Sequence, residues 1–321
     1  MEQTKTRRPI KRWIVLLVII LNVFAVRAFP PVRPHIQLPP ETLFPIFGDF
    51  YLTNTLVATA IADILLLLMA FFFSRSIKAG KMVLTGVSGV LELLLEALYN
   101  LTESTAGKWA KTIFPWFATI VLVVLIANWM EVIPGVDSIG LLHHSEEGSP
   151  VQELAPGIMA VVKGDPEHES GEEGGYVVVP FVRVASTDLN FTAAIALVSV
   201  VMTQVIGIRA LGLGYFTKFF NVKGLFTKPV FGVLDFAVGF LELISEFSKI
   251  LSFSFRLFGN VFAGSVLLFV IGSLVPVFAQ SAILVFEFLV GMIQAIVFGL
   301  LTMIFMSVAT QGHGDEHGAE H

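Results

Sequence analysis

Residues Val230–Gly272 read VFGVLDFAVGFLELISEFSKILSFSFRLFGNVFAGSVLLFVIG, with Pro229 before them, Pro276 after them and no proline within. Leu, Ile, Val and Phe dominate throughout, so the stretch predicts one helix. About 43 residues at 1.5 Å each make it roughly 64 Å long, whereas the hydrocarbon core of a bilayer is about 30 Å thick. Such a helix must break or lean steeply, by something like 60° from the membrane normal. The following stretch, Val277 to about Thr310, is apolar and over-long in the same way. Two adjacent helices of this kind predict a strongly tilted C-terminal hairpin within an all-α polytopic membrane protein.

Outward from the hairpin, further apolar segments occur at Trp13–Phe29, Leu56–Phe73, Ile113–Ile133 and Leu189–Ile208. Composition demands them: 55% of residues are hydrophobic, Phe alone occurs 30 times and only 14% are charged, against about 25% charged in soluble domains. There is no Cys, which excludes disulfides and thiolate metal sites. The net charge of −5 conceals strong segregation. Arg75, Lys78, Lys81, Lys108 and Lys111 lie in one loop, and Arg209, Lys218, Lys223 and Lys228 in another. Between residues 134 and 187 only Lys163 and Arg183 are basic, against nine acids from Asp137 to Glu173. Positive charge stays on the cytoplasmic side. The expected topology therefore puts the N-terminus, 74–112, 209–229 and the C-terminus inside, and 30–55 and 134–187 outside.

Three segments stand apart from the spans. Residues 1–29, with Arg7, Arg8, Lys11 and Arg12 before the apolar run and Val26-Arg27-Ala28 after it, form either a cleavable signal or a retained anchor helix. Residues 30–321 then make a single membrane domain. Leu91, Leu94, Leu95 and Leu98 alternate at helical spacing with Glu92, Glu96, Asn100 and Glu103. They predict an amphipathic helix, lying on the bilayer or packed on its neighbours. The acidic outer insertion at about 143–175 reads as a polar loop. His143, His144 and His168 within it, and His313, His317 and His321 in the tail 312–321, are metal-ligand types, but solvated segments are the better reading of both.

A polar stripe crosses the first long helix. At 100° per residue, Glu242, Ser245, Glu246, Lys249, Ser252, Arg256, Asn260 and Gly264 fall within about 120° of one another. An intramembrane Arg costs at least about 2.5 kcal/mol, which makes it a functional residue by default. A guanidinium keeps its proton in proteins, so Arg256 cannot relay one; it can hold a carboxylate ionised or block a leak. Glu242 and Glu246 are ten to fourteen residues away, roughly 15–21 Å along the helix, too far for a direct pair. Gln280, Glu287, Gly291 and Gln294 share a face of the second long helix and can line a water path.

The run SFSFRLFGNVFAG, Ser252–Gly264, resembles the signature of subunit a of F-type ATP synthases. WMEVIPG (Trp129–Gly135) and STDLNFT (Ser186–Thr192) are similar to further family motifs. The resemblance implies that Arg256 is the essential stator charge, with Asn260, Glu242 and Gln294 at the family's other polar positions. Many bacterial members carry Glu where this chain has Ser265 and His where it has Glu287; here the pair is exchanged, which weakens Ser265 as a proton carrier and raises Glu287. The hairpin is thereby expected to face a rotor ring of c subunits, with the b stalk and the rest of the synthase as partners and a bacterial plasma membrane as location. The implied ion path enters past Glu131, Asp188, Asn190, Glu287 and Gln294 and leaves past Glu242, with Glu246 and Ser265 as further lining residues. No cofactor, metal, nucleotide or nucleic acid is called for: GxxxxGK[ST], HExxH and GxSxG are all absent from the sequence. The rivals are weaker. A secondary transporter favours inverted repeats and broken midplane helices, which the sequence lacks, and a purely structural subunit leaves the deep Arg unexplained.

Overall fold

The computed structural model describes residues 39–48, 50–78, 86–133, 136–145, 148–161, 175–219, 229–275 and 278–311, with isolated positions between Trp13 and Arg27. Its main helices are α1 (Asn54–Lys78), α2 (Val87–Ala106), α3 (Ala110–Trp129), α4 (Leu189–Leu211), α5 (Pro229–Leu274) and α6 (Phe278–Ala309). Among the described residues five helical stretches are long and apolar enough to cross a membrane: Asn54–Lys78, Val87–Val132, Leu189–Leu211, Phe236–Leu274 and Ala279–Ala309. The protein is thus a mainly helical, polytopic membrane chain. Helices α5 and α6 are unbroken over 46 and 32 residues, or about 69 and 48 Å. The described positions between Trp13 and Arg27 are helical and exposed; the remainder of 1–29 lies outside the described residues, as do 162–174 and the tail 312–321.

The chain divides into two compact units. One comprises 1–54, 131–183 and 262–289; the other comprises 55–130, 184–261 and 290–321. The second is built on two apolar clusters. In the first cluster Ile120, Val124 and Leu125 of α3 meet Ala196 of α4, Phe253, Leu257 and Val261 of α5, and Ala295 and Phe298 of α6. In the other, Leu98 of α2 joins Ile113, Phe117, Ala118 and Val121 of α3, Ile206 of α4, and Met303 and Met306 of α6. Leu94 and Leu95 pack against this cluster, so α2 buries its leucine face on its neighbours. Tyr99 adds an edge-on ring contact with Phe114 at 5.2 Å. Val87, Val90 and Leu93, in the first two turns of α2, stay exposed. Helix α1 is almost wholly exposed, with Ile64, Leu67, Phe71 and Phe72 outward; such a surface is stable only in lipid.

The first unit departs from the expected plain loops. Strands β1 (Thr42–Phe47) and β2 (Phe50–Thr53) form a hairpin that leads directly into Asn54. Asn54 is fully buried and exchanges hydrogen bonds with the backbone and carboxylate of Glu41. Within the acidic insertion, β3 (Gly140–Ser145) pairs antiparallel with β6 (Gly175–Pro180), and β4 (Val151–Ala155) with β5 (Ile158–Val161). The reading of the insertion as loop throughout is corrected here. Along the sequence its acids cluster at 146–147 and 165–173, while the β-branched run Val177–Val179 and the alternation around Val151 and Ile158 supply pairing segments. His143 and His144 sit in β3, where His144 stacks edge-on against Tyr176 at 5.5 Å. Among the described residues no group of three potential metal ligands occurs.

Candidate functional site

Helix α5 carries Arg256 through a face made of small and polar side chains. Phe253 and Leu257 turn into the core, so Ser252, Arg256, Gly259 and Asn260 emerge on the exposed side. The Arg256 guanidinium donates from Nη2 to Ser252 Oγ at 3.4 Å. That is its one hydrogen bond among the described residues, and no described carboxylate pairs with it. Space beside Gly259 is open for 4 Å around. One turn along, Asn260 Nδ2 donates to Gln294 Oε1 of α6 at 2.8 Å. Gln294 is buried, and its own Nε2 has no partner among the described residues. The two amides expected on facing helices therefore meet.

Toward the N-terminal part of α5, Lys249 Nζ donates to Glu246 Oε1 at 2.8 Å and lies 4.5 Å from the centre of the Phe305 ring. Glu246 is buried, and Glu242, one turn before it, is half-buried. The unit thus holds a permanent cation on an open face and, on the same helix, a lysine about two turns away and two carboxylates about three and four turns away.

In the first unit three further residues converge. Ser265 of α5 donates to Glu131 Oε1, which lies in the 3-10 turn Met130–Val132 that continues α3. The Glu287 carboxylate of α6 rests against Gly264; a Cβ at that position would collide with both carboxylate oxygens. Glu131, Ser265 and Glu287 are all buried. The Ser265 hydroxyl bonded to Glu131, with the Glu287 carboxylate against the adjacent Gly264, gathers groups that can exchange a proton. Sequence reasoning had all three residues but not the Glu131–Ser265 bond, because it joins positions 134 apart.

Asp188 and Asn190 behave differently. Asp188 caps α4, its Oδ1 accepting from the Asn190 backbone N–H at 2.8 Å and its Oδ2 from Thr55 Oγ1 at 2.8 Å. Both carboxylate oxygens are engaged in anchoring α4 and α1, and Asn190 itself is exposed. Missed altogether was a buried chain in which Ser186 Oγ donates to Asn128 Oδ1 at 2.6 Å and Asn128 Nδ2 to the Gly291 carbonyl at 3.1 Å. Thr192 bonds Ser254 at 3.2 Å and Ser199 bonds Thr302 at 2.7 Å in the same manner. The only sequence signal for these was a scatter of hydroxyls and amides in apolar runs.

The sequence model for "ATP synthase A chain" matches residues 56–307, a range that contains all of these side chains but Thr55. The chain belongs to this family. It is 30% identical over 274 residues to "ATP synthase subunit a" of Mycobacterium ulcerans (strain Agy99), covering 83% of this chain and 90% of that relative. With the protein of the same description from Moorella thermoacetica (strain ATCC 39073 / JCM 9320) it shares 28% over 267 residues, covering 83% and 94%. For Gloeobacter violaceus (strain ATCC 29082 / PCC 7421) the figures are 28% over 265 residues, 82% and 86%. Family membership and the five apolar helices together make it a multi-pass bacterial membrane protein of the ATP synthase membrane sector, where ion transport is coupled to ATP synthesis.

Proposed function

We propose that this subunit is the non-catalytic, proton-conducting stator of the membrane sector, offering two half-paths beside a ring of c subunits, with Arg256 as the barrier between them. The observation that carries this reading is the setting of Arg256: a permanent charge on an open face of small and polar residues, held only by Ser252 among the described residues. An intramembrane cation without a resident carboxylate invites one from a partner. A ring carboxylate arriving unprotonated is attracted by the guanidinium; once protonated on the far side it is neutral and can turn into lipid. Protons enter from outside past Glu131, Ser265, Glu287 and Gln294, and Asn260 is assigned to the same path. They leave to the cytoplasm past Glu246 and Glu242. Asp188 and Asn190 are assigned to the lining of the entry path. The b stalk and the remaining synthase subunits complete the assembly in the plasma membrane, with the C-terminus, and the N-terminus where residues 1–29 are retained, cytoplasmic. A membrane potential supplies about 2.3 kcal/mol per charge per 100 mV, the energy that rotation transduces.

The test is Arg256→Ala in vesicles holding equal amounts of assembled complex. ATP synthesis should fall to background while passive proton leak rises, because the half-paths are no longer separated. Coupled synthesis at the wild-type rate would overturn the reading.

A further inference from the structure

The segment after α4 folds back as a 3-10 turn, Gly212–Lys218. It returns Tyr215 to the helix it has just left. The ring is 3% exposed and lies on Gly207, where a Cβ would run into it. Phe219 stacks edge-on beside it at 5.8 Å. So seated, the hydroxyl donates to Gln204 Oε1 at 2.6 Å. That bond fixes which way the Gln204 amide faces: its oxygen is engaged, and Nε2 is left buried with no partner among the described residues. A buried donor left unmade costs about 1–3 kcal/mol, and in folded proteins such donors are met by ordered water. Tyr215 also packs with Ala309 of α6, one turn beyond Phe305, whose ring lies 4.5 Å from the Lys249 ammonium that pairs with Glu246; this brings the tyrosine near the acidic turn of α5. Burial first, and then the negative charges of Glu246 and Glu242, push the phenol up to about 12, so Tyr215 stays protonated and serves as a fixed donor.

We propose that Tyr215 is a positioning residue of the cytoplasmic half-path: by locking Gln204 it holds a water beside the acidic turn Glu242–Glu246, extending the exit route from α5 to the α4 turn. The proposal rests on the half-path reading above. Nothing in the motif around Arg256 indicates it, since Gln204, Gly207 and Tyr215 come from a different helix and the turn that follows it. Tyr215 acts only through Gln204; no proton leaves from its own oxygen.

The experiment uses the whole synthase in vesicles at matched assembly. Tyr215→Phe keeps the ring on Gly207 and removes only the hydroxyl. ATP-driven proton pumping, in which protons enter through the cytoplasmic half-path, should slow about fivefold, the scale of one hydrogen bond, and its solvent deuterium isotope effect should rise as proton entry becomes limiting. A mere loss of folded complex lowers the rate without moving the isotope effect. Gln204→Leu should reproduce both changes, and the double variant should be no slower than Gln204→Leu alone. Wild-type pumping and isotope effect in both single variants would overturn the proposal, as would a slowed rate with an unmoved isotope effect. Arg256→Ala is run alongside. If it uncouples the enzyme while Tyr215→Phe is silent, only the present inference fails; if it stays coupled, the half-path reading itself fails.

Discussion

At the scale of single residues the decisive contrast is between Arg256 and Glu287. Arg256 keeps its charge and presents it on an exposed face next to Ser252 and Asn260. Lysine there is shorter, lacks the planar fork and can lose its proton when desolvated. Arg256→Lys should therefore also fail to couple proton flow to synthesis, although it keeps a formal positive charge; synthesis assays at matched assembly check this. Glu287 is buried against Gly264 in the company of Glu131 and Ser265. A carboxamide fills the same space but cannot exchange a proton. Glu287→Gln should leave assembly intact and slow ATP-driven pumping by roughly tenfold or more, the scale of a lost acid–base group. Unchanged pumping across pH would remove Glu287 from the path. The identities of both residues were readable in the sequence. That Ser265 hands a hydrogen bond to Glu131 was not, because nothing local to either residue encodes a contact between α5 and the turn after α3.

At the scale of elements, length is the strongest argument. Helix α5 is about 69 Å long and α6 about 48 Å, both well beyond a core of about 30 Å. In lipid both should lie far from upright, α5 by something like 60° from the normal. Cryo-electron microscopy of the complex in a bilayer disc measures this directly, and two upright helices with long solvated ends would refute it. The β3–β6 ladder provides a second prediction. Asp137, just before β3, has its carboxyl pushed up to about 6 by burial, against the opposing pull of Arg183; Arg183 also ties the Pro39 carbonyl at 3.1 Å. A carboxyl whose folded value lies above its unfolded value of about 3.9 binds its proton more tightly when folded. Its contribution is then full below about pH 4 and is lost as pH rises toward 6. Amide exchange in β3 and β6, corrected for intrinsic rates, should accelerate over that interval and become flat in Asp137→Asn.

At the scale of the whole molecule, surface chemistry and topology can be tested together. Exposed apolar side chains on α1, α4, α5 and α6, such as Phe71, Val198, Phe247 and Phe286, require lipid or partner subunits around them. The chain has no Cys, so single cysteines report cleanly. Met159 in the β4–β5 hairpin is 54% exposed, and Gln311 lies exposed beyond α6. A membrane-impermeant thiol reagent should label Met159→Cys only from outside and Gln311→Cys only from the cytoplasm. The reverse pattern would invert the topology and exchange the two half-paths.

By itself the amino-acid sequence determined the membrane class, the spans from Leu56 onward to within a few residues, the unbroken C-terminal pair and the polar stripe through Arg256. These follow from apolar run length, proline placement and a 100° repeat, all properties of contiguous residues. Tertiary structure decided what those residues touch. It brought Asn260 to Gln294, Ser265 to Glu131 and the Glu287 carboxylate onto Gly264, and it took Asp188 into a helix cap. It also made hairpins of an insertion that composition marked as loop, because pairing of β3 with β6 closes over a long intervening segment. Such contacts depend on how helices and strands are packed rather than on local pattern, so the same side chains read along the chain are only a scatter of polar letters.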